Sequence, residues 1–399
     1  MGRWLLSVPV LLGLESLAAR EIRRLGYNTE KVEDGRVSFY GGEAAVCRSN
    51  IWLRFAERVQ IKLGDFSAAS FSELFDGVKA LPWAELLPED AAFPVSGHCL
   101  GSKLGSVPDC QAIVKKAAVE SMKRRWKVET FPETGAPYRI HFTIIRDRVA
   151  IYVDTSGDGL HKRGYREDSA LTPIRETLAA ALVELSGWRP GKALWDPFCG
   201  SGTIPIEAAM MAAGRAPGLV RGFAAESWGA PPGDGGYAPL GRVFAEERAK
   251  ARAAYDASLG ALAAANAAPA IAGSDLSAKY VAAARQNAAN AGVSRLLRFF
   301  QMDCREMGAG HAKLKSCGVR FPGRGSVVTN PPYGERLGDR ASAIATCREW
   351  APALNGFKDW GWCVISALET FEREIGRAAT KRRKLHNGKI KCNAYLYWS

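Results

Sequence analysis

The chain has 399 residues, and its 47% hydrophobic and 24% charged content is that of an ordinary globular protein. Its 54 Lys and Arg residues outnumber its 41 Asp and Glu residues, and the net charge of +13 favours a polyanionic partner. No apolar stretch is long enough to span a membrane, and residues 1–14 lack the apolar run and cleavage site of a signal peptide. The sequence therefore argues against a membrane protein and predicts a cytoplasmic protein of two or three domains.

The cysteine pattern agrees with a cytoplasmic location. Nine cysteines are present, an odd number, and no two of them form a Cys-x-x-Cys pair. Neither a disulfide framework nor a zinc site fits this spacing. We therefore expect a reducing compartment and no bound metal.

Residues 1–65 are predicted to form a small N-terminal α/β domain. Trp4–Val10 has the pattern of a strand, and the apolar residues of Leu14–Leu25 fall on one face of a helix. Val37 and Phe39 alternate in a second strand.

Residues 66–155 are predicted to form a second α/β domain, with a helix capped by Asp109 and two strands within Tyr138–Val153. The outer faces of this helix carry a run of charges that are all positive. Such a run is often only a solvated face, but its single sign and the glycine-containing loop before it favour a surface for a phosphate backbone. The helix cations proposed to bind RNA are Lys115, Lys116, Lys123, Arg124 and Arg125.

Residues 156–171 are interpreted as a polar linker to a third domain, residues 172–399. Three cations of the linker, Lys162, Arg163 and Arg166, are further candidates for RNA contacts. Thr172-Pro173 is predicted to begin the next helix as its N-cap and first helical residue.

The third domain contains a glycine-rich turn, Asp196–Gly202, between an apolar strand and a helix. Gly200 and Gly202 lack the Cβ atoms that would keep a ligand away from the backbone, and the helix start offers free N–H groups. A third glycine for dinucleotide binding and a Gly-Lys-Ser/Thr sequence for phosphate binding are both missing. The turn suits S-adenosylmethionine (SAM), although tight packing alone could also explain the glycines.

A second motif, Asn330-Pro331-Pro332-Tyr333, follows a β-branched run that predicts a buried strand. The prolines fix the backbone and remove two N–H donors, which leaves the Asn330 side-chain carbonyl and the Pro331 carbonyl as a stiff pair of acceptors. This pair suits the two N–H donors of a nucleobase amine, and Tyr333 can stack on the base. Together the two motifs indicate an amino methyltransferase rather than a Pro-Pro turn alone.

Two further strands are predicted to end in aspartates, Asp275 and Asp303, each followed by a helix. A carboxylate at such a position can hold the ribose hydroxyls, and Asp303 can accept from the adenine amino group. Helix capping is the alternative for each aspartate alone. Because crossover helices connect parallel strands, the acidic ends are expected along one edge of the sheet.

The C-terminal residues predict an antiparallel hairpin, because Asn387-Gly388 separates Lys381–Leu385 from Ile390–Trp398. A hairpin that closes a mostly parallel sheet fits a SAM-dependent fold better than a dinucleotide-binding one. Its cations Arg382, Arg383 and Lys384 are proposed to contact nucleic acid.

Taken together, the motifs resemble those of the bacterial THUMP-domain RNA guanine-N2 methyltransferases, similar to the large-subunit ribosomal RNA enzymes. The resemblance implies a ferredoxin-like domain and a THUMP RNA-binding domain ahead of a Rossmann-like SAM-dependent methyltransferase domain. Larger relatives carry a second, C-terminal methyltransferase, whereas this chain ends at Ser399. The resemblance rests on Gly13-Leu14-Glu15, Asp34–Val37, Leu81-Pro82-Trp83, Ser106–Gln111, Asp154–Arg166, Asp196–Gly202, Gly273-Ser274-Asp275 and Asn330–Leu337.

The resemblance also implies methyl transfer from SAM to guanine N2 of a flipped base, with Asn330, Pro331 and Tyr333 as catalytic residues. Cys199 and Cys304 are interpreted as packing residues rather than nucleophiles. The residues expected to contact the cofactor are Asp196, Phe198, Gly200, Gly202, Thr203, Asp275, Leu276, Asp303, Cys304 and Asn330.

The substrate is expected to be ribosomal RNA of the 23S type. One alternative is transfer to a guanosine in tRNA, because THUMP domains are also common in tRNA-modifying enzymes. A second is a non-catalytic RNA-binding or ribosome-assembly factor, against which the intact Asp196, Asp275, Asn330 and Tyr333 argue. The target nucleotide, the choice between naked RNA and a ribosomal particle, and the oligomeric state are left open.

Overall fold

The structure is a computed structural model in which the chain forms two compact units. The first unit comprises Met1–Val10, Ala18–Leu160 and Arg221–Lys250. The second comprises Leu11–Leu17, His161–Val220 and Ala251–Ser399. The residues that the structure describes are 4–166, 173–229, 239–264, 270–309, 312, 315–316, 318–319, 324–333, 339–357 and 359–398.

The first unit is built on a seven-stranded sheet with helices packed against it. Its strands are β1 (Trp4–Pro9), β2 (Thr29–Glu33), β3 (Arg36–Gly41), β4 (Gln60–Ser67), β5 (Val95–Leu100), β6 (Arg139–Ile145) and β7 (Arg148–Asp154). Its helices are α1 (Glu15–Arg24, whose first turn belongs to the second unit), α2 (Glu43–Trp52), α3 (Phe71–Lys79) and α4 (Val107–Trp126).

The strand order of this sheet is β2-β3-β1-β4-β7-β6-β5. Strand β4 joins the two halves, because its residues Gln60–Lys62 pair with β1 on one side and with β7 on the other. The expected boundary between residues 65 and 66 therefore lies inside a strand that both halves share. The sequence patterns did not predict β2 and α2.

The start of α4 differs from the prediction. Ser106, not Asp109, is the N-cap, and its side chain accepts a hydrogen bond from the Asp109 N–H at 3.4 Å. Asp109 lies in the first turn, where its negative charge is favourable for the helix dipole. On the apolar face of the helix Val114, Ala117, Ala118 and Met122 are buried, whereas Ile113 is half-buried.

Part of the segment before α7 (Leu240–Ala264) belongs to the first unit. Trp228 stacks on Tyr138 with ring centroids 4.2 Å apart, and its indole N–H donates to the Pro137 carbonyl. Glu247 of α7 is buried and pairs with Arg48 at 2.8 Å. Residues 221–250 thus belong to the first unit, although they lie within the region assigned from sequence to the third domain.

The second unit contains a second seven-stranded sheet. Its strands are β8 (Ala193–Asp196), β9 (Ile271–Asp275), β10 (Leu297–Gln301), β11 (Gly325–Thr329), β12 (Gly361–Ser366), β13 (Lys381–Asn387) and β14 (Ile390–Tyr397). Its helices are α5 (Glu176–Leu185), α6 (Thr203–Ala212), α8 (Ala278–Asn290), α9 (Asp339–Asn355) and α10 (Phe371–Ile375), together with the C-terminal part of α7.

The strand order is β10-β9-β8-β11-β12-β14-β13. Strands β8 to β12 are parallel, and β14 is antiparallel to both β12 and β13. All four residues of β8 are buried, as expected for a strand covered on both faces. The predicted fold class, a mostly parallel Rossmann-like sheet closed by an antiparallel C-terminal hairpin, is confirmed.

Two local predictions in this unit need correction. Helix α5 begins at Glu176 with Arg175 as its N-cap, so Pro173 precedes the helix, and Thr172 lies outside the described residues. In the hairpin, Asn387 pairs with Ile390, so the two turn residues are Gly388 and Lys389.

Among the described residues no helix is long and apolar enough to cross a membrane.

A buried ion pair connects the linker to helix α6. Arg163, predicted as an RNA contact, is only 1% exposed, and its Nε lies 3.3 Å from Oε1 of the fully buried Glu207. The prediction is wrong for this residue, because its guanidinium does not reach the surface. Its charge is instead compensated inside the fold, where an unpaired charge would be costly.

We predict that Arg163→Met destabilises the protein by about 3–5 kcal/mol, because it leaves the Glu207 carboxylate buried without this partner. Urea denaturation followed by circular dichroism measures the loss. The matched control is Arg373→Met, since Arg373 is 73% exposed and Glu374 keeps Arg348 as a partner. This control should lose less than about 1 kcal/mol. Equal losses in the two variants would contradict the assigned role of Arg163.

Candidate active site at the carboxyl edge of the second sheet

The two sequence motifs meet at the point where the strand order reverses. Strands β8 and β11 are parallel neighbours, with Trp195 opposite Val327. Their carboxyl ends therefore place Asp196 and Asn330 at the same edge of the sheet. In open α/β sheets the crevice at such a reversal is where ligands bind.

Asp196 is held rigidly at the end of β8. Its Oδ1 accepts hydrogen bonds from the Thr329 hydroxyl at 2.6 Å and from the Phe198 N–H at 3.1 Å. The side chain is 1% exposed, and burial raises the pKa of Asp196 to about 7. The two hydrogen bonds act in the opposite direction, because they stabilise the carboxylate. This carboxyl group can therefore change its charge near neutral pH.

The two glycines of the turn have different surroundings. Gly202 has φ +87°, and a Cβ there would lie 2.7 Å from Cζ of Phe299 and 2.9 Å from Cβ of Ala284. Gly200 has φ +51°, and a Cβ there would meet no atom within 4 Å. Gly202 is thus required by packing against the sheet, whereas Gly200 leaves open space beside the turn. The geometry favours Gly200 over Gly202 as the place where a ligand would lie against the backbone, and the assignment of both glycines to the cofactor stays a prediction.

Asp275 ties the turn to strand β9. Its Oδ2 accepts from the Gly200 N–H at 3.0 Å, and its Oδ1 accepts from the Ser277 N–H at 2.9 Å. The next residue, Leu276, is 66% exposed, an unusual position for a large apolar side chain. An acidic residue followed by an exposed apolar one matches what a ribose and an adenine ring would need.

Asp303 follows β10 along the same edge. Arg305 pairs with its carboxylate at 2.5 Å and holds the pKa of Asp303 below its usual value. The carboxylate is therefore already engaged by a cation at the place where it was predicted to meet adenine. The neighbouring Cys304 is buried, and burial raises the pKa of its thiol to about 12. Burial likewise raises the pKa of Cys199, which fits packing roles for both cysteines.

The Asn330–Tyr333 segment follows the carboxyl end of β11. The Oδ1 atom of Asn330 is buried, and no residue in the described part of the chain donates a hydrogen bond to it. Tyr333 is 8% exposed, and its hydroxyl accepts from the Asn387 side-chain amide at 2.5 Å. Buried polar atoms almost always have partners in folded proteins. The unpartnered Asn330 carbonyl oxygen therefore indicates an acceptor kept for a ligand.

Two other predicted cofactor residues have structural partners. The Phe198 ring packs edge-on against Trp350 with centroids 5.0 Å apart. The Thr203 hydroxyl, at the start of α6, accepts from Nη2 of Arg166 at 2.6 Å. Arg166 also pairs with Glu176 at 3.3 Å, so this predicted RNA contact braces the turn.

The predicted cations of α4 lie at the surface of the first unit. Lys116, Arg124 and Arg125 are exposed, whereas Lys115 and Lys123 are half-buried. Glu133 pairs with Lys115 at 2.7 Å, and Glu120 pairs with Lys123 at 3.1 Å. The three exposed cations are therefore the better candidates for phosphate contacts.

The remaining predicted cations belong to the second unit. Lys162 and Lys384 are exposed. Arg382 pairs with Glu372, and the Arg383 guanidinium lies 3.5 Å from the Ser16 hydroxyl.

Sequence reasoning missed two residues that contact the predicted site. Thr329, the last residue of β11, donates the 2.6 Å hydrogen bond to Asp196. The signal for it was its position one residue before Asn330 on a strand. Asn387 contacts Tyr333 but was interpreted only as a turn former. No local pattern predicts this contact, because it joins residues distant in the sequence.

In the part of the chain that the structure describes, no group of three or more His, Cys, Asp or Glu side chains could hold a metal ion.

Comparison with known families assigns the whole arrangement. Residues 163–395 match the family described as RMKL-like, methyltransferase domain, so the chain belongs to this methyltransferase family. Residues 6–60 match the RlmL ferredoxin-like domain, and residues 68–154 match the THUMP domain. The resemblance inferred from the sequence motifs is thereby confirmed.

Similar proteins cover nearly the full length of the chain. "Putative RNA methyltransferase YpsC" of Bacillus subtilis (strain 168) is 41% identical over 401 residues, which cover 100% of this chain and 97% of that protein. A "predicted N6-adenine-specific DNA methylase" from Listeria monocytogenes str. 4b F2365 is 40% identical with a TM-score of 0.86, over 99% of this chain and 96% of that one. SMU.472, "a putative methyltransferase complexed with SAH", is 34% identical with a TM-score of 0.86, over 99% and 98% of the two chains.

These matches confirm the methyltransferase class, and with it SAM as the cofactor, since SAH (S-adenosylhomocysteine) is the demethylated product of SAM. The residues present fit that cofactor. Two carboxylates and an open glycine line one edge, which suits an ammonium group, ribose hydroxyls and a ligand that lies close to the backbone.

We predict that Asp196 makes SAH binding depend on pH. Below its pKa of about 7 the buried carboxyl is neutral and offers no charge to the ligand ammonium, so affinity should rise as pH increases from about 6 to 8. The expected slope is up to about tenfold per pH unit below the pKa, with a plateau above it. Calorimetry on wild type and Asp196→Asn tests this. The same pH profile in both proteins would exclude Asp196 as the titrating group.

We predict that alanine at Gly200 and at Gly202 has opposite consequences. Gly202→Ala should cost at least about 2 kcal/mol of stability, because the new Cβ would overlap the Phe299 ring and the residue would keep a left-handed φ. Gly200→Ala should cost only about 1 kcal/mol but weaken SAH binding by at least about tenfold, because its Cβ enters the open space. Thermal melting and calorimetry measure the two effects. Unchanged SAH affinity in Gly200→Ala would mean that the ligand does not lie against the turn.

Proposed function

We propose that the protein transfers a methyl group from SAM to the exocyclic N2 of a guanosine in ribosomal RNA of the 23S type. The observation that carries the proposal is the buried Oδ1 of Asn330, which accepts no hydrogen bond from any residue that the structure describes and lies at the same sheet edge as Asp196. An acceptor kept for a ligand, next to a cofactor edge, selects a substrate that donates hydrogen bonds. An exocyclic amine does so with the same nitrogen that receives the methyl group.

The substrate amine, which receives the methyl group, is held by the stiff Asn330–Tyr333 segment. Asn330 Oδ1 and the Pro331 carbonyl accept the two N–H groups of the amine, which turns the nitrogen lone pair out of conjugation with the ring. Pro331 and Pro332 fix two φ angles, so little conformational freedom is lost when the base binds. Catalysis then consists mainly of holding the amine in line with the methyl group.

The residues that would hold SAM, the methyl donor, lie at the carboxyl ends of β8 and β9. Asp196 faces the ammonium group, Asp275 the ribose hydroxyls and Leu276 the adenine ring. When bound, SAM supplies a methyl group activated by a sulfonium. The low exposure of Asp196 and Tyr333 keeps water away from the place where the two ligands meet.

The base must leave its stack to reach Asn330, which favours a loop or hairpin guanosine over a paired one. Tyr333 then stacks on the extruded base, an interaction worth about 1–3 kcal/mol. The THUMP domain, with the exposed Lys116, Arg124 and Arg125, supplies phosphate contacts, which position the RNA without reading its bases. A substrate of this kind places the enzyme in the cytoplasm.

The choice of RNA over DNA and the choice of guanine over adenine rest on separate observations. The acceptor pair suits either exocyclic amine, and one similar structure is named as an adenine-specific DNA methylase. The THUMP domain and the name of the Bacillus relative favour RNA. Guanine rests on the residues that follow Tyr333 in the motif, Gly334–Leu337, which lie outside the described residues. Transfer to a tRNA guanosine is the alternative.

The test is incubation with methyl-labelled SAM and separate samples of 23S rRNA, ribosomal particles, tRNA and DNA, followed by mass spectrometry of the nucleosides. The proposal expects N2-methylguanosine in rRNA or in the particle. Label in tRNA as N2-methylguanosine would support the alternative substrate. N6-methyladenine would overturn the guanine assignment, and absence of label from every sample would favour a non-catalytic factor.

We predict that Asn330→Ala lowers kcat by about 100-fold or more, by analogy with the loss of one transition-state hydrogen bond in other enzymes. SAH affinity should weaken by less than about tenfold, because the acceptor groups act chiefly on the substrate amine. Asn330→Asp, which keeps an acceptor oxygen, should retain more activity than alanine. An alanine variant with normal kcat would contradict the role of Asn330 on which the proposal depends.

A further inference from the structure

The C-terminal hairpin touches the proposed base-binding tyrosine. Asn387 is the last residue of β13, and its Nδ2 donates to the Tyr333 hydroxyl at 2.5 Å. Both residues belong to the second unit, and Tyr333 is 8% exposed. A partly buried hydrogen bond thus joins the hairpin tip to the Asn330–Tyr333 segment.

The hairpin holds Asn387 in a fixed place. Strand β14 pairs with β12 from Trp362 to Ser366 and with β13 along its whole length. Leu385, two residues before Asn387, is 1% exposed, so the strand is anchored close to its tip. A side chain on such a paired strand is positioned more precisely than one on a loop.

The turn itself does not explain the asparagine. Asn387 pairs with Ile390, and the two residues between them form the turn. Gly388 supplies the positive φ of +62°, whereas Asn387 is not among the described residues with positive φ. Glycine at the first turn position is the pattern of a type II′ hairpin, which makes no demand on the residue before it. The amide of Asn387 is therefore explained by its bond to Tyr333.

The bond fixes the far end of the tyrosine ring. The prolines before Tyr333 restrain its backbone, and burial of the ring limits its two side-chain torsions. A donor at the hydroxyl adds a directional restraint at the end of the ring opposite its Cα. A stacking surface held in one orientation loses little conformational freedom when the base arrives.

We propose that Asn387 is a positioning residue that holds the Tyr333 ring in the orientation that receives the extruded base. The inference rests on the proposed function, because it assigns Tyr333 to base stacking. The same hairpin carries the exposed Lys384, so a candidate phosphate contact and the residue that holds the stacking ring lie on the same strand, β13. RNA bound to the hairpin is thereby placed in register with the acceptor site.

A double-mutant cycle tests the inference. Asn387→Ala and Tyr333→Phe should each lower kcat by about three- to tenfold, the effect of one uncharged hydrogen bond, with SAH affinity unchanged. The double variant should be no less active than the less active single variant, because both changes remove the same bond. Asn387→Asp should restore activity, since its carboxylate accepts from the Tyr333 O–H. Asn393→Ala, on β14 of the same hairpin, is the matched control and should stay within about twofold of wild type.

A second readout does not depend on turnover. With 3-fluorotyrosine at position 333, the ring resonance in wild type should be single and narrow, and it should broaden or split in Asn387→Ala. Additive losses in the cycle, no rescue by Asn387→Asp, or an unchanged resonance would overturn the inference.

The outcome for Tyr333→Ala separates this inference from the proposed function. Loss of methyl transfer in Tyr333→Ala together with additive behaviour of Asn387→Ala overturns only the positioning role. Full activity in Tyr333→Ala overturns base stacking, and the positioning role with it.

Discussion

The parallel register of β8 and β11 is the constraint on which the site depends. Because Trp195 lies opposite Val327, the carboxyl ends of the two strands lie side by side, and the Thr329 hydroxyl donates to the Asp196 carboxylate at 2.6 Å. A slip of β11 by one residue against β8 would turn the Thr329 side chain to the other face of the sheet and remove this contact. The bond therefore fixes the position of Asp196 relative to the start of the Asn330–Tyr333 segment, although the two lie far apart in the sequence.

Many strands of both sheets could be anticipated from local patterns, but β2 and the boundaries of the two units could not. Buried runs such as Ser326–Thr329 and the Asn387-Gly388 signal predicted strands and a hairpin that the structure contains. Strand β4 was harder to assign, because a strand shared by two halves has the same pattern as a strand within one. Similarly, the packing of Trp228 on Tyr138 depends on contacts that no local periodicity encodes.

The site shows the same division between local chemistry and tertiary contact. The strand-end positions of Asp196 and Asn330 could be predicted from local motifs, because each residue ends or follows a buried strand. Burial decides the remaining features: it raises the pKa of Asp196, and it places Arg163 against Glu207 instead of at the surface. A run of cations in a sequence does not reveal which of its members have a buried carboxylate as a partner.

The most direct test of the central claim is a crystal structure of the protein with SAH. Our account predicts that the ligand lies across the glycine turn, between Asp196 and Asp275, with its sulfur facing the Asn330 amide. A ligand bound away from this edge, or one with its sulfur turned from Asn330, would show that the glycine turn and the Asn330–Tyr333 segment do not form a single methyl-transfer site.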